Sequence, residues 1–127
     1  MTLAALFISA SMQFNLPPGL LSSLCFVESR HDVTAIHVDD GGTDSIGVCQ
    51  IKLKTSQWLG FDGNEEDLLE PKTNILYAAA YIRYNMDRYD GQVERAVVAY
   101  NKGNAKGLTR TTYSMKVMNE WRNNNEK

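Results

Sequence analysis

The chain has 127 residues, enough for one domain with its own hydrophobic core and without a framework of metal ions or disulfides. Its composition, 43% hydrophobic and 22% charged, excludes a disordered or low-complexity protein. A formal net charge of -2 excludes the strongly basic surface typical of nucleic-acid binding. Residues 1–127 are therefore interpreted as a single globular domain with no nucleic-acid partner.

The first half of the chain predicts two helices followed by a small, irregular β-hairpin. Apolar residues of the opening segment recur at helical spacing and favour a first helix over a cleaved signal peptide: Leu3, Leu6, Phe7 and Ala10. A second helix is predicted over residues 18–29, with a proline at its first position. The turn residues 39–43 then separate two short β-like segments, residues 35–38 and 46–51.

The second half predicts mainly helix. A short helix at residues 55–59 is followed by an acidic stretch, residues 60–71, which is interpreted as a solvated loop. Helical spacing returns on both sides of Gly91, in Ile75, Leu76, Ala79, Ile82 and Met86 and then in Val93, Ala96, Val97 and Tyr100. A last helix covers residues 111–122, and no segment approaches the length of a membrane span. The predicted fold is mainly α with one small β element.

Glu28 occupies an unusual place for a carboxylate. On a helical wheel it shares one stripe with Leu20, Leu21, Leu24 and Cys25, whereas Ser22, Ser23, Phe26 and Ser29 lie largely opposite. Such a glutamate either pairs with a base such as Arg30 or is partly desolvated, so that its protonated form persists to higher pH. Pairing is the more ordinary outcome, and desolvation would make Glu28 a general acid.

Four short motifs follow one another along the chain: Glu28-Ser29, residues 45–51 (Ser-Ile-Gly-Val-Cys-Gln-Ile), residues 99–103 (Ala-Tyr-Asn-Lys-Gly), and Tyr113. In this order they resemble the motifs of the soluble lytic transglycosylase family, namely a Glu-Ser pair, a Gly-Leu-Met-Gln-Ile strand, an Ala-Tyr-Asn-x-Gly turn and a late tyrosine. Residues 71–75 and 78–82 are similar to the long central helix of the family, so the resemblance covers nearly the whole chain.

The chain also departs from the family pattern. Val48 and Cys49 stand where the family usually has Leu-Met, and Arg30-His31 stands where members often have a polar residue and Phe. The loop at residues 37–44 is longer and more acidic than in many relatives. These departures leave the sugar subsites open.

The resemblance implies an α+β lysozyme-like fold, with a helical body and a small β-hairpin beside a groove for the glycan strand of peptidoglycan. It implies a lytic transglycosylase that cleaves the MurNAc-GlcNAc β-1,4 bond without water. Glu28 would act first as acid and then as base, while the N-acetyl group of the substrate stabilises the sugar cation and its 6-hydroxyl closes a 1,6-anhydro ring. No cofactor is required.

The resemblance further implies a set of substrate-binding residues: Gln50, Tyr100, Asn101, Ser29, Ser45 and Tyr113. Gln50, predicted on a strand, would hold the N-acetyl group or sugar hydroxyls near Glu28. Tyr100 would hydrogen-bond near Glu28 or the N-acetyl group, and Asn101 would contact sugar. Each residue also has a structural alternative. A buried tyrosine usually only satisfies its hydroxyl group, a helix-end asparagine is ordinary, and serines often serve capping or loop hydrogen bonds.

Two other functions remain open at this point. A hydrolytic lysozyme of the same fold, similar to the goose type, would need a second carboxylate to position water, and Asp39, Asp40 or Asp44 are its candidates. A non-catalytic glycan-binding module would keep the groove alone. The position of Glu28 on an apolar face argues against the module.

Cysteine and histidine do not predict a metal site. Cys25, His31, His37 and Cys49 lack the close pairings of a zinc site, and the acidic stretch that begins at Asp39 has Gln50 where a calcium loop needs glutamate. Neither cysteine has an adjacent base that would make it a nucleophile. Whether Cys25 and Cys49 are bonded to each other is left open.

The biological setting follows from the substrate. An enzyme of this family acts in the periplasm or on the cell wall. Because no cleavable signal peptide is evident, the sequence favours a phage-encoded enzyme or one exported by a dedicated system. We expect a monomer.

Overall fold

The computed structural model describes residues 1–38 and 42–125, and this part of the chain contains seven α-helices and three short strands. In chain order they are α1 (Leu3–Gln13), α2 (Leu20–Ser29), β1 (Ile36–His37), β2 (Ser45–Ile46), β3 (Ile51–Lys52), α3 (Leu53–Trp58), α4 (Glu65–Leu69), α5 (Pro71–Arg88), α6 (Val93–Lys102) and α7 (Thr112–Asn125). The predicted fold class, mainly α with a small β element, is confirmed.

The main core lies where α2 meets α1, α5, α6 and α7. Positions predicted from helical spacing are buried there, including Phe7, Ala10, Ile75, Ala79, Ile82, Ala96 and Val97. Burial of these apolar side chains supplies the main driving force for folding. No helix in the described ranges is both long and apolar enough to cross a lipid bilayer.

Helix α2 is buried on more sides than its sequence predicts. Ser23, predicted on the side opposite the apolar stripe, is fully buried. Helix α7 packs against this side of α2, and Asn124 Nδ2 donates to Ser23 Oγ at 3.3 Å. The helix begins after Gly19, whose φ of 83° is left-handed, so the prolines lie in the preceding turn and not at the first helical position.

The β element is a three-stranded antiparallel sheet in the order β1-β2-β3, which is one strand more than a hairpin. Ile46 of β2 lies opposite Ile36 on one side and Ile51 on the other. Residues 47–50, predicted as part of a strand, form a tight turn between β2 and β3. Gly47 and Gln50 adopt left-handed conformations, with φ of 78° and 53°, which interrupt extended pairing.

A buried amide on α5 holds this turn in place. Asn74 Oδ1 accepts from the Cys49 N–H at 2.9 Å, and Nδ2 donates to the carbonyls of Ile46 at 2.8 Å and Leu68 at 2.9 Å. A Cβ at Gly47 would lie 2.3 Å from Asn74 Nδ2, so a larger residue does not fit against the amide. The side chain is fully buried and its hydrogen-bonding groups have partners, as burial requires.

The acidic segment contains helix α4, so its prediction as a solvated loop is wrong in that part. Asn64 and Asp67 form a capping box, in which each side chain accepts from the backbone N–H of the other residue at 2.9 Å. Leu68 on the inner face is fully buried against Ile46 and Ile51. The charges face solvent, while one leucine anchors the helix below the sheet.

Candidate active site

A cleft of about 170 Å³ lies beside the sheet, where the C-terminal ends of α2 and α6 approach it. Its lining residues are Glu28, Ser45, Gln50, Ile51, Lys52, Thr55, Tyr81, Tyr100, Asn101, Lys102 and Gly103. The structure therefore brings together five residues that the sequence places far apart and predicts at the site: Glu28, Ser45, Gln50, Tyr100 and Asn101. The two other predicted residues, Ser29 and Tyr113, do not line the cleft but hydrogen-bond to the Val48 carbonyl and to Glu28, respectively.

The carboxyl group of Glu28 lines the cleft and has a raised pKa. Burial raises its pKa from the ordinary 4.5 to about 7, against the opposing effects of a hydrogen bond from Tyr113 and the charge of His37. Arg30, the alternative partner considered from the sequence, lies over the ring of Phe26, 5.1 Å from its centre. A carboxyl group with this pKa can both give and accept a proton near neutral pH.

Tyr113 on α7 contacts the carboxyl group directly. Its hydroxyl donates to Glu28 Oε2 at 2.5 Å, and no other hydrogen bond reaches this carboxyl group within the described part of the chain. Oε1 is therefore the oxygen available for proton transfer. Burial and the nearby carboxylate both raise the pKa of Tyr113 well above its usual range, so it stays a neutral donor.

Cys49 is bonded to residues of three helices, by one disulfide and two hydrogen bonds. Its sulfur is bonded to Cys25 of α2, its N–H donates to Asn74 of α5, and its carbonyl accepts from the Tyr100 hydroxyl of α6 at 2.7 Å. The disulfide, left open by the sequence, lies one turn before Glu28. Tyr100 was expected to hydrogen-bond near Glu28 or the N-acetyl group of the substrate; in the structure its hydroxyl donates to the Cys49 carbonyl, and it lies close enough to Glu28 for that carboxylate to raise its pKa.

The side-chain amide of Gln50 is held by three partners. Nε2 donates to the carbonyls of Ala35 at 3.1 Å and Gly47 at 3.0 Å, and Oε1 lies 2.5 Å from Nδ1 of His37. Because Nε2 uses its hydrogens on two carbonyls, Oε1 must be the acceptor and Nδ1 of His37 the donor. Gln50 thus lies in the cleft, with its amide fixed by β1 and by its own turn.

Ser29 is tied to the scaffold, whereas Ser45 and Asn101 line the open cleft. The Ser29 hydroxyl donates to the Val48 carbonyl at 2.6 Å and accepts from the Asp32 N–H at 3.1 Å. Ser45 is partly buried on β2, and Asn101 is exposed near the end of α6. Both side chains are polar groups that line the cleft.

Of the three candidates for a second carboxylate, the structure describes Asp44. Asp44 is partly buried beside β2 and does not line the cleft. Asp39 and Asp40 lie outside the described residues. Glu28 is thus the single carboxylate among the described residues that line the cleft.

Two residues important to this geometry were missed from the sequence. His37 was considered only as a zinc ligand, yet it hydrogen-bonds to Gln50 and acts to lower the pKa of Glu28. Asn74 was noted only as part of a helix resembling the family's central helix. A polar residue between the apolar positions of α5 was the available signal, because a buried amide usually has specific partners.

A helical body with a small sheet beside a cleft is the architecture of a lysozyme-like domain. The chain belongs to the Transglycosylase SLT domain family, which matches residues 5–120. The protein called Transglycosylase of Enterobacteria phage PRD1 is 32% identical over 113 residues, which cover 87% of this chain and 39% of that protein. Protein IpgF of Shigella flexneri is 32% identical over 96 residues, which cover 74% of this chain and 62% of IpgF. The match thus spans less than two thirds of either relative.

Proposed function

We propose that the chain is a peptidoglycan lytic transglycosylase that cleaves the MurNAc-GlcNAc β-1,4 bond without water and leaves 1,6-anhydro-MurNAc ends. The observation that carries the proposal is the desolvated carboxyl group of Glu28, with a pKa of about 7, as the single carboxylate among the described lining residues. Membership of the SLT family and the name of the PRD1 relative support the same activity.

In the first step, protonated Glu28 donates its proton from Oε1 to the glycosidic oxygen as the bond from that oxygen to C1 of MurNAc breaks. The N-acetyl oxygen of the same sugar stabilises the positive charge at C1, so a second protein carboxylate is not needed. In the second step, ionised Glu28 takes the proton of the 6-hydroxyl while that oxygen bonds to C1. The reaction consumes no water and returns Glu28 to its protonated form.

The other cleft residues have substrate-binding roles in this proposal. Ser45 and Asn101 offer a hydroxyl and an amide to sugar polar groups from opposite sides of the cleft. Gln50 accepts one hydrogen bond from His37, which leaves the second lone pair of Oε1 for a sugar hydroxyl or an N-acetyl N–H. Tyr100 holds the turn at Cys49, and Tyr113 positions the Glu28 carboxyl group.

The proposed substrate places the reaction in the periplasm or on the cell wall of bacteria. One relative is a phage protein and another is a Shigella protein, so the similarity fits a phage-encoded enzyme as well as a bacterial one. A monomeric enzyme without a cofactor is sufficient for the chemistry described above.

Mass spectrometry of digested peptidoglycan tests the proposal. Purified sacculi treated with the protein should release muropeptides with anhydro-muramic ends, whereas a hydrolase produces reducing ends that are heavier by one water. Predominantly reducing ends would refute the transglycosylase reaction, and replacement of Asp39, Asp40 and Asp44 in turn would then identify the water-positioning carboxylate. No cleavage of sacculi from several bacteria, with retained binding, would instead identify a glycan-binding module.

A further inference from the structure

The cleft at Glu28 continues along the surface into a second depression. This depression has a volume of about 310 Å³ and shares Thr55, Tyr81 and Gly103 with the cleft. Its own walls are Trp58 of α3 and Tyr84 of α5, with Lys54 and Arg88 at its edge. We call the surface formed by these last four residues the aromatic shelf.

A row of aromatic rings links the aromatic shelf to the catalytic centre. Trp58 meets Tyr84 edge to face at 4.7 Å, Tyr84 lies parallel to Tyr81 at 6.4 Å, and Tyr81 packs on Tyr100 at 5.4 Å. Tyr100 is close enough to Glu28 for that carboxylate to raise its pKa. The shelf and the cleft are therefore one continuous surface built on α3, α5 and α6.

The outer members of this row are exposed although they are large and apolar. Trp58 is 62% exposed and Tyr84 is 39% exposed, while Tyr100 at the inner end is buried. The contact with Tyr84 holds the indole ring at one side, and most of the Trp58 surface remains open to solvent. Exposed aromatic surface beside polar groups is typical of ligand-binding sites.

We propose that the aromatic shelf is an outer sugar-binding subsite, in which one pyranose ring of a glycan strand stacks on Trp58. The C–H face of a pyranose is apolar and matches an indole face, while its hydroxyl groups remain free to meet Thr55 and Lys54. Lys54 and Arg88 add positive charge that complements the carboxylates of muramyl sugars and their peptides. Arg88 is fixed by its hydrogen bond to the Gly103 carbonyl at 3.0 Å.

This inference rests on the proposed function only in taking a glycan as the polymer that occupies the cleft. Binding is measured in the Glu28→Gln background, which does not require cleavage, with chitohexaose as the probe. The chain has two tryptophans, and Trp121 lies on α7, where its Nε1 donates to the Pro18 carbonyl. Trp121→Phe therefore leaves Trp58 as the single tryptophan, so that a change in tryptophan fluorescence reports on Trp58. This variant serves as the matched control.

The Glu28→Gln, Trp121→Phe protein should show a saturable change in tryptophan fluorescence with chitohexaose. Trp58→Leu in the Glu28→Gln background should weaken binding about tenfold by calorimetry, and Trp58→Phe should have an intermediate affinity because a smaller ring remains. Equal affinities for the Trp58→Leu variant and its parent, or no binding by the parent, would overturn the subsite.

The two proposals fail in different ways. Trp58-dependent binding without anhydro products from the wild-type protein would overturn the proposed reaction and leave the subsite standing. Anhydro products together with unaltered binding by the Trp58→Leu variant would overturn the subsite and leave the reaction standing.

Discussion

Tyr113 donates a hydrogen bond to Glu28 Oε2 at 2.5 Å, and it comes from the helix most distant in sequence from α2. The bond favours the ionised carboxylate, whereas burial favours the protonated form and is the larger effect, which leaves the pKa at about 7. The acid-base behaviour of Glu28 is therefore set by α7 as well as by its own helix.

Tyr113→Phe removes this donor and should raise the pKa of Glu28 further. Because the protonated form starts the proposed reaction, the alkaline fall in kcat/KM should move to higher pH. Activity at pH 6 should drop about tenfold, because the ionised form required in the second step becomes scarcer and loses a hydrogen bond. The pH profile of activity on soluble glycan strands measures both effects. Tyr77→Phe is the control, because Tyr77 lies against Phe61 under the sheet. An unchanged profile would contradict the assigned role of Tyr113.

Glu28→Gln should lower peptidoglycan cleavage by at least about a hundredfold, because the amide keeps the size of the side chain but cannot transfer the proton. Turbidity clearing of purified sacculi measures the loss, and circular dichroism checks the fold. Glu66→Gln on the exposed surface of α4 makes the same chemical change away from the cleft and should keep full activity. More than a few per cent of residual activity in a folded Glu28→Gln protein would exclude a mechanism with one acid.

Glu28→Gln should also change how stability depends on pH. The folded pKa of about 7 exceeds the ordinary 4.5, so the stabilising contribution of the protonated group is complete below about pH 4.5 and is lost as pH rises through 7. The variant should therefore gain about 3 kcal/mol in free energy of unfolding over wild type between pH 4 and pH 8. Urea unfolding at both values measures this gain.

Glu94→Gln provides a control of opposite sign. Hydrogen bonding to Arg110 lowers the pKa of Glu94, so its contribution is present above the unfolded pKa and lost as pH falls. Glu94→Gln should therefore destabilise the protein more at pH 7 than at acidic pH. Parallel pH dependences for the two variants would mean that burial does not control Glu28.

Asn74→Ala should destabilise the protein by about 2–4 kcal/mol, because it removes three buried hydrogen bonds, to the Cys49 N–H and to the carbonyls of Ile46 and Leu68. The loss should appear in urea unfolding and, locally, in faster hydrogen exchange of the Cys49 amide. Asn119→Ala, on the exposed surface of α7, is the matched control. Slow exchange at Cys49 in the Asn74→Ala protein would show that another group holds the turn.

Reduction of the Cys25–Cys49 disulfide should lower the free energy of unfolding by about 3 kcal/mol, because the bond closes a loop with a sequence separation of 24. Thermal unfolding with and without reductant measures the effect. A Cys25→Ser, Cys49→Ser protein is the control and should not respond to reductant. A wild-type transition that is insensitive to complete reduction would contradict the stabilising role.

The helices were largely predictable because their apolar residues repeat at the period of an α-helix. α1, α5 and α6 follow that period into one core, and Glu28 stands out as the carboxyl group on an apolar face. The residues that line the cleft could be named from motifs, but their partners could not. Hydrogen bonds such as Tyr113 to Glu28 join segments far apart in sequence, and no local pattern predicts them.

The failures have local causes. Gln50 was placed on a strand because residues 46–51 follow the predicted turn at residues 39–43, but its left-handed φ turns the chain. α4 was assigned to a loop because its charges outweighed the capping pattern at Asn64 and the single apolar anchor, Leu68. Ser23 was placed on the solvent side because the wheel cannot show that α7 covers it.

The three helices that meet at Cys49 have a consequence for substrate binding. Because residues of α2, α5 and α6 all bond to Cys49, a disulfide and two hydrogen bonds hold the helix of Glu28 and the turn before Gln50 together. The conformational entropy of ordering the site is therefore lost when the protein folds, before any glycan arrives. In the proposed reaction, a sugar that enters the cleft would meet a site already in place, and its binding energy would remain available to distort the ring towards the transition state.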